Sequence, residues 1–219
     1  NAIDFGHLFL LCWNSVKIAT LSAIIIVLIA LFLLFVEKLS KHKINSLINQ
    51  TTSLGYVIPG AVIGLGIILL FTQIPFLQSL PLIGSFFVLV YAYVFRFLAV
   101  GKSPIKSSLE KQPESFDYAA KNLGLSPLRI LYKIHLPISK TALVISFIVT
   151  FIDLLKELPI TLILRPFNFD TLATQTYEFA VEEMLEKSSI YSLAIVLIGS
   201  SLLILLKHFT HKEINASKS

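Results

Sequence analysis

Charge is what this chain has least of. Of its 219 residues only 14% are Asp, Glu, Lys or Arg, against 55% that are hydrophobic. A mean hydropathy of +0.81 is too high for a soluble domain of this size. The single cysteine, Cys12, excludes an intramolecular disulfide and any site built from several thiolates. No glycine loop followed by Lys-Ser or Lys-Thr is present, so ATP hydrolysis has no site in this segment. The five histidines, His7, His42, His135, His208 and His211, are scattered and lack zinc-ligand spacing. A Gly-x-Ser-x-Gly elbow and a His-Glu-x-x-His pair are also missing, which leaves hydrolytic and zinc chemistry without residues. The first residue is Asn1 rather than methionine, with no signal-peptide pattern behind it, so the segment is expected to be the C-terminal part of a longer chain.

What is abundant is long apolar runs. Five of them, at about 16–36, 54–72, 82–100, 141–163 and 189–206, are close to the roughly 20 residues that cross a hydrocarbon layer. The fold class expected is therefore all-α integral membrane, with five transmembrane helices. Trp13, Asn14 and Lys17 stand at the outer end of the first run. Gly60, Gly64 and Gly66 follow Pro59 in the second, where glycines four apart permit backbone-to-backbone packing. Arg96 lies near the end of the third, where its long side chain can snorkel to the interface. Basic residues gather around Lys38, Lys41 and Lys43, in the 101–140 loop, and in a tail with Lys207, Lys212 and Lys218. The connections on the other side hold only Arg165 and Lys187. The excess of Lys and Arg on the cytoplasmic side of membrane proteins then puts the 101–140 loop and the C-terminus in the cytoplasm and Asn1 outside. The net charge of +5 thus serves orientation, and no nucleic-acid partner is expected.

The fourth run contains Asp153, Lys156 and Glu157. Counted from Thr141 at 1.5 Å per residue, Asp153 is about 18 Å deep. Each charge at a helix centre costs roughly 2.5–3.5 kcal/mol, against a gain of roughly 0.3–0.6 kcal/mol per apolar residue. The three are therefore paired, with the lysine bridging two acids at helical spacing, or they face a watery path. Pro159 just beyond is expected to kink the helix, which makes Asp153, Lys156, Glu157 and Pro159 the candidate path or gate. The outer connection, 164–188, reads as an amphipathic helix from Thr171 to Lys187 with Asp170 as N-cap. Leu172, Tyr177, Val181 and Met184 are expected to face inward, and Glu178, Glu182 and Glu186 to form an acidic stripe, either a solvated face or a docking surface.

The polar island 117–137 has the densest local signals. Pro113 and Glu114 suit a first helical turn, Phe116, Ala119, Ala120 and Leu123 share one face, and Gly124 is a C-terminal stop. Ser126 and Pro127 start a second helix through Leu128, Leu131 and Ile134, which Pro137 is expected to end. A helix-turn-helix hairpin results, with Ala119 and Ala120 small enough for another surface to approach the backbone.

The run Tyr118-Ala-Ala-Lys-Asn-Leu-Gly124, then nine residues, then Ile134-His-Leu-Pro137 resembles the loop of permease subunits of binding-protein-dependent ABC importers. Ala119, Ala120, Gly124, Ile134, Leu136 and Pro137 match that pattern in identity and spacing, while the family's Glu is Tyr118 here with Asp117 one residue earlier. The resemblance implies the five-helix core of the type I importer permease fold, with a cytoplasmic helical-hairpin coupling loop that docks into a cleft of an ATPase. The ATPase dimer would use ATP and magnesium, while this chain binds no cofactor and catalyses nothing. A periplasmic substrate-binding protein, a bacterial inner membrane and a second permease bundle are implied as well. No internal repeat supplies that bundle, so it is expected from a fused N-terminal half or another chain. The stretch from Lys156 to Ala173 is similar to the corresponding segment of ferric-iron permeases, which implies ferric iron as cargo. Thiamine, a polyamine or another small solute stays open within the class. An ion-coupled secondary transporter using Asp153, Lys156 and Glu157 as a relay stays open outside it.

Overall fold

The computed structural model describes residues 4–40, 43–79 and 82–216, and their side chains except those of 40 and 209–216; every regular element among them is helical. In chain order they are α1 (Phe5–Ser40), α2 (Lys43–Thr51), a 3-10 turn (Leu54–Tyr56), α3 (Gly60–Gln73), α4 (Pro75–Gln78) and α5 (Phe86–Glu110). There follow α6 (Ser115–Asn122), α7 (Pro127–Ile130), a π turn (Leu131–His135), α8 (Leu136–Leu155), α9 (Pro159–Leu164), α10 (Leu172–Val181) and α11 (Leu185–Ala216). Four stretches are long and apolar enough to cross a membrane: Phe5–Leu39, Phe86–Glu110, Pro127–Leu155 and Leu185–His208. A fifth is the pair Lys43–Tyr56 and Gly60–Gln73 taken together, bent by 109° at its break.

The centre of the bundle is the mutual packing of α1, α5 and α8. Lipid tails are as apolar as leucine, so helices in a membrane associate through close contact rather than through escape from water. The contact faces are accordingly small: Ala19, Ser22, Ala23 and Ala30 of α1 and Ala92 of α5 are all 0% exposed. Gly101 of α5 lies so close to α1 that a Cβ there would sit 2.6 Å from Ile26 Cγ2. The Ser146 hydroxyl of α8 donates to the Gly101 carbonyl at 2.5 Å, adding a hydrogen bond where the backbones approach.

Several sequence boundaries move. The first span begins at Phe5, so Trp13, Asn14 and Lys17 lie within α1 rather than at its mouth. The third does not stop at 100; α5 continues through Lys102 and Pro104 to Glu110, and the first ten residues of the expected loop are helix. The second is not one straight span, because α3 has 14 residues, about 21 Å, and the chain before Gly60 turns away. Pro137 does not end its helix: the Leu136 N–H reaches back five residues to the Leu131 carbonyl, and this wider π turn accommodates the proline ring. Pro159 does not kink a continuous helix either, since α8 stops at Leu155 and Pro159 is the first residue of α9. Lys41, His42 and Lys218, with the side chains of His211 and Lys212, lie outside the described residues.

The glycines of the broken span separate by environment. A Cβ on Gly55 would overlap the Phe95 carbonyl oxygen, whereas one on Gly66 meets nothing within 4 Å. Gly66 is therefore not the packing residue its spacing indicated, while Gly64 is, with Ile163 side-chain atoms 3.1 Å from its Cβ position. Gly55→Ala should destabilise the detergent-solubilised protein by about 1–3 kcal/mol, and Gly66→Ala should stay within about 0.5 kcal/mol of the parent. Thermal unfolding of the two variants tests this, and equal effects would contradict the packing described.

Candidate functional site

Both interruptions of the bundle meet at one side chain. Arg96 lies ten residues into α5, about 15 Å along it, and is not at a helix end. Its Nη1 donates to the Ile58 carbonyl at 3.2 Å, in the unwound backbone before α3. Its Nε lies 3.6 Å from Glu157 Oε2, in the break between α8 and α9. The other carboxylate oxygen accepts the Ile160 N–H at 3.1 Å, satisfying a donor at the start of α9. Gly60 makes the approach possible, because a Cβ there would lie 2.5 Å from Arg96 Nη1 and 2.9 Å from Glu157 Oε1. Nearby, the Tyr93 and Thr161 hydroxyls are 2.6 Å apart, and Thr161 donates to the Glu157 carbonyl at 2.7 Å.

The three charges expected to form one cluster divide into two. Lys156 pairs with Asp153 at 2.9 Å and is 62% exposed at the side chain, while Glu157 faces the opposite way, to Arg96. Ending α8 at Leu155 removes the helical register that would have let the lysine bridge both acids. Arg96 is correspondingly not a snorkelling anchor.

The hairpin has a well-built stop and a buried root. Gly124, at φ +74°, closes α6 with paired bonds from its own N–H to Lys121 O and from Leu125 N–H to Ala120 O, the Schellman arrangement. At the root, His135 is 1% exposed and uses both ring nitrogens, one 2.5 Å from Gln112 Oε1 and the other 2.7 Å from Asp117 Oδ1. Gln112 donates onward to Ser139 of α8 at 2.9 Å, and Lys38 of α1 donates to the Leu109 carbonyl at 3.1 Å. Asp117 thus turns inward, whereas Tyr118 is 58% exposed. Of the face Phe116, Ala119, Ala120 and Leu123, only Ala120 is buried. Ile134 and Leu136 are half-buried on the helix that leads into α8, and Pro137 is exposed. A cleft of about 620 Å³ lies beside this root, between the ends of α1 and α5 and the start of the hairpin, lined by both signs of charge, among them Glu37, Lys106, Glu110 and Lys121.

At the far end of the bundle the acidic stripe is not continuous. α10 ends at Val181, Glu183 takes φ +61°, and Glu186 already belongs to α11. Glu178 bonds Arg165 Nη2 at 2.7 Å, which leaves Glu182 and Glu186 as solvent-facing members. The N-cap is Thr171, in a capping box with Thr174, because Asp170 is engaged by Arg165. Leu172 is buried as expected, but Tyr177, Val181 and Met184 are exposed.

Four residues here were invisible to sequence reasoning in their roles: Arg96, Gln112, His135 and Lys102. Lys102, 4% exposed, donates to Asn49 O at 2.5 Å, Thr52 Oγ1 at 2.9 Å and Ser53 Oγ at 3.1 Å, so its three protons cap the end of α2. Only its polarity within an otherwise apolar helix could have marked it.

This arrangement is that of a known family. Over residues 27–214 the sequence matches the family described as binding-protein-dependent transport system inner membrane component, and the chain belongs to it. It is a multi-pass membrane protein of the ABC importer permease type. It is 26% identical to the Fe(3+)-transport system permease protein FbpB 2 of Haemophilus influenzae over 97% of this chain and 41% of that protein. It is 27% identical to the maltose/maltodextrin transport system permease protein MalG of Vibrio parahaemolyticus over 76% of the chain and 56% of the relative. A spermidine/putrescine transport system permease protein PotC homolog of Mycoplasma pneumoniae is 23% identical, with 76% and 57% covered. The chain thus spans between two-fifths and three-fifths of the length of these relatives. Its fold is that of a chain in the inward-facing MetNI methionine ABC transporter, with a TM-score of 0.73 at 13% identity over 96% of this chain and 99% of the other. An amino acid ABC transporter chain aligns with a TM-score of 0.65 at 20% identity, over 90% of each.

Removing one member of a buried ion pair leaves the other uncompensated, so Arg96→Leu and Glu157→Leu should each destabilise by about 3–5 kcal/mol. The double variant should lose much less than their sum. Additive losses in detergent unfolding would show that the two side chains act independently.

Proposed function

We propose that the chain is the membrane permease of an ATP-driven importer that receives ferric iron from a periplasmic binding protein, and that the hairpin at 117–137 couples it to a cytoplasmic ATPase. The observation that carries this reading is the surface of the hairpin. Leu123, Leu128 and Tyr132 are 79%, 74% and 76% exposed, and Tyr118 stands beside them, on a hairpin whose root is tied into the bundle by His135. Such large apolar side chains on a rigid projection are half of an interface. With Asp117 turned inward, the ATPase contact at this point is aromatic packing from Tyr118 instead of a carboxylate, next to the exposed Ala119. ATP and magnesium belong to the ATPase dimer.

The Lys and Arg content of the hairpin end supports the orientation with the hairpin and C-terminus in the cytoplasm and the N-terminal end of the segment in the periplasm of a bacterial inner membrane. A second bundle, fused or separate, covers the apolar face of α3 that exposes Val62, Leu65 and Leu69. The path or gate lies at Glu157 and Pro159, with Asp153 and Lys156 beside it, because Arg96 alone ties the two interruptions together and their separation breaks few bonds. Ferric iron is supported by the Haemophilus influenzae relative, which matches nearly the whole chain. Relatives named for maltose and for spermidine/putrescine share the family, so the cargo is a matter for experiment.

The test is ATPase activity of the full-length permease with its ATPase in lipid, with ferric-loaded or empty binding protein encoded beside it. Stimulation by the loaded form alone is expected. ATPase activity that needs the permease but ignores iron would reject the cargo, and no interaction with an ATPase would reject the importer. In the same assay Gly124→Val, which strains a left-handed residue by about 1–2 kcal/mol, should lower stimulated turnover without moving the melting of the bundle. Unchanged turnover would remove the hairpin from coupling.

A further inference from the structure

The most exposed large hydrophobic side chain among those described is Phe167, at 93%. It is held out by a built turn. The Phe169 N–H donates to the Pro166 carbonyl at 3.1 Å, with Phe167 and Asn168 at the two central positions. Asn168 takes φ +57°, a left-handed conformation that asparagine adopts more readily than most residues. Across the base, the Arg165 guanidinium bonds the Asp170 carboxylate and also reaches Glu178. Phe169, 8% exposed, packs edge-on against Phe86 with ring centroids 4.7 Å apart, and Asn14 of α1 donates to the Asp170 carbonyl at 3.0 Å. Everything around the tip is anchored, and only the tip is bare.

Charge decides among the surfaces that could cover it. Between 165 and 188 the sequence has five acids and two bases, in a chain whose net charge is +5. Arg165 engages Asp170 and Glu178, while Glu182, Glu183 and Glu186 remain exposed at the other end of α10. Among those acids Val181, Met184 and Leu185 are 63%, 42% and 69% exposed. An acidic rim of this kind repels anionic lipid headgroups. Apolar anchors with charges around them are instead the composition of a protein docking surface.

We propose that the Pro166–Phe169 turn is a preorganised docking knob for the soluble substrate-binding protein, with Phe167 entering an apolar pocket on it and the 182–186 corner meeting a basic patch. This rests on the importer reading above and adds to it a contact residue on this chain. A ring held rigidly in its bound position loses little freedom on docking, so it contributes more to affinity than a mobile one.

The experiment titrates the ferric-loaded binding protein against the full-length permease and its ATPase in nanodiscs. The concentration for half-maximal stimulation should rise about tenfold or more for Phe167→Ala, and stay near the parent value for Phe167→Tyr. Neutralising Glu182, Glu183 and Glu186 to Gln should flatten the salt dependence of that concentration. Trp13 is the only tryptophan in the sequence, so Trp13→Phe with Phe167→Trp gives a reporter whose emission should shift to the blue when the loaded protein is added. An unchanged half-maximal concentration for Phe167→Ala, with the parent still stimulated, overturns the knob and leaves the importer standing. Quenching of the reporter by brominated lipid assigns the tip to the membrane and overturns it too. A reporter already shielded from aqueous quencher in the permease alone assigns the tip to a second bundle, with the same result. A parent that no binding protein stimulates takes down both readings.

Discussion

Backbone groups released inside an apolar bundle have no water to turn to, and the arrangement of this protein follows from how its two interruptions are answered. The chain unwinds before α3 and again between α8 and α9, each time freeing carbonyls and N–H groups. Arg96 answers the first through Ile58 O, and Glu157 answers the second through Ile160 N. The two are then joined to each other, so each charge is paired as well as hydrogen-bonded, which is what makes ions tolerable at that depth. Gly60 is at the meeting point because any Cβ would displace one partner. Without this node there would be no reason for α3 and α9 to lie together, as they do through Gly64 and Ile163.

The hairpin depends on a second polar cluster with the opposite task. The node at Arg96 connects segments through few bonds, whereas the root at His135 is dense and buried, and it ties α6, the end of α5 and the start of α8 into one body. The π turn at Leu131–His135 makes the hairpin's second arm continuous with α8. In the importer reading, a push on the hairpin is therefore delivered to α8 directly and reaches the interruption at its other end. One inward carboxylate, Asp117, takes part in that root, which leaves the neighbouring Tyr118 free on the surface.

Much of this was legible in the amino-acid sequence. Apolar runs of the right length marked the bundle, and Gly124 marked the stop of α6, because both signals are local: one is length against a membrane thickness, the other a residue that alone adopts positive φ without strain. Pro137 and Pro159 were misread for a related reason. A proline disallows one local hydrogen bond, but whether the chain then kinks, restarts or widens into a π turn depends on what the freed carbonyls find nearby. The acidic stripe failed where Glu183 turned the corner, since helical spacing extrapolates only while the helix continues. Asp153, Lys156 and Glu157 were correctly expected to need partners, yet the partner of Glu157 stands 61 positions earlier, on α5.

The sequence by itself determined that the chain crosses a membrane, that it has a helical hairpin of the importer permease kind, and that charges in its fourth apolar run must be compensated. These follow from composition, period and the φ limits of glycine and proline, which act within a few residues. Only the tertiary structure decided which charges compensate which, where helices break, and that Asp117 faces in while Tyr118 and Phe167 face out. Those outcomes depend on desolvation and on hydrogen-bond geometry between elements far apart in the chain, and neither quantity exists until the helices are packed.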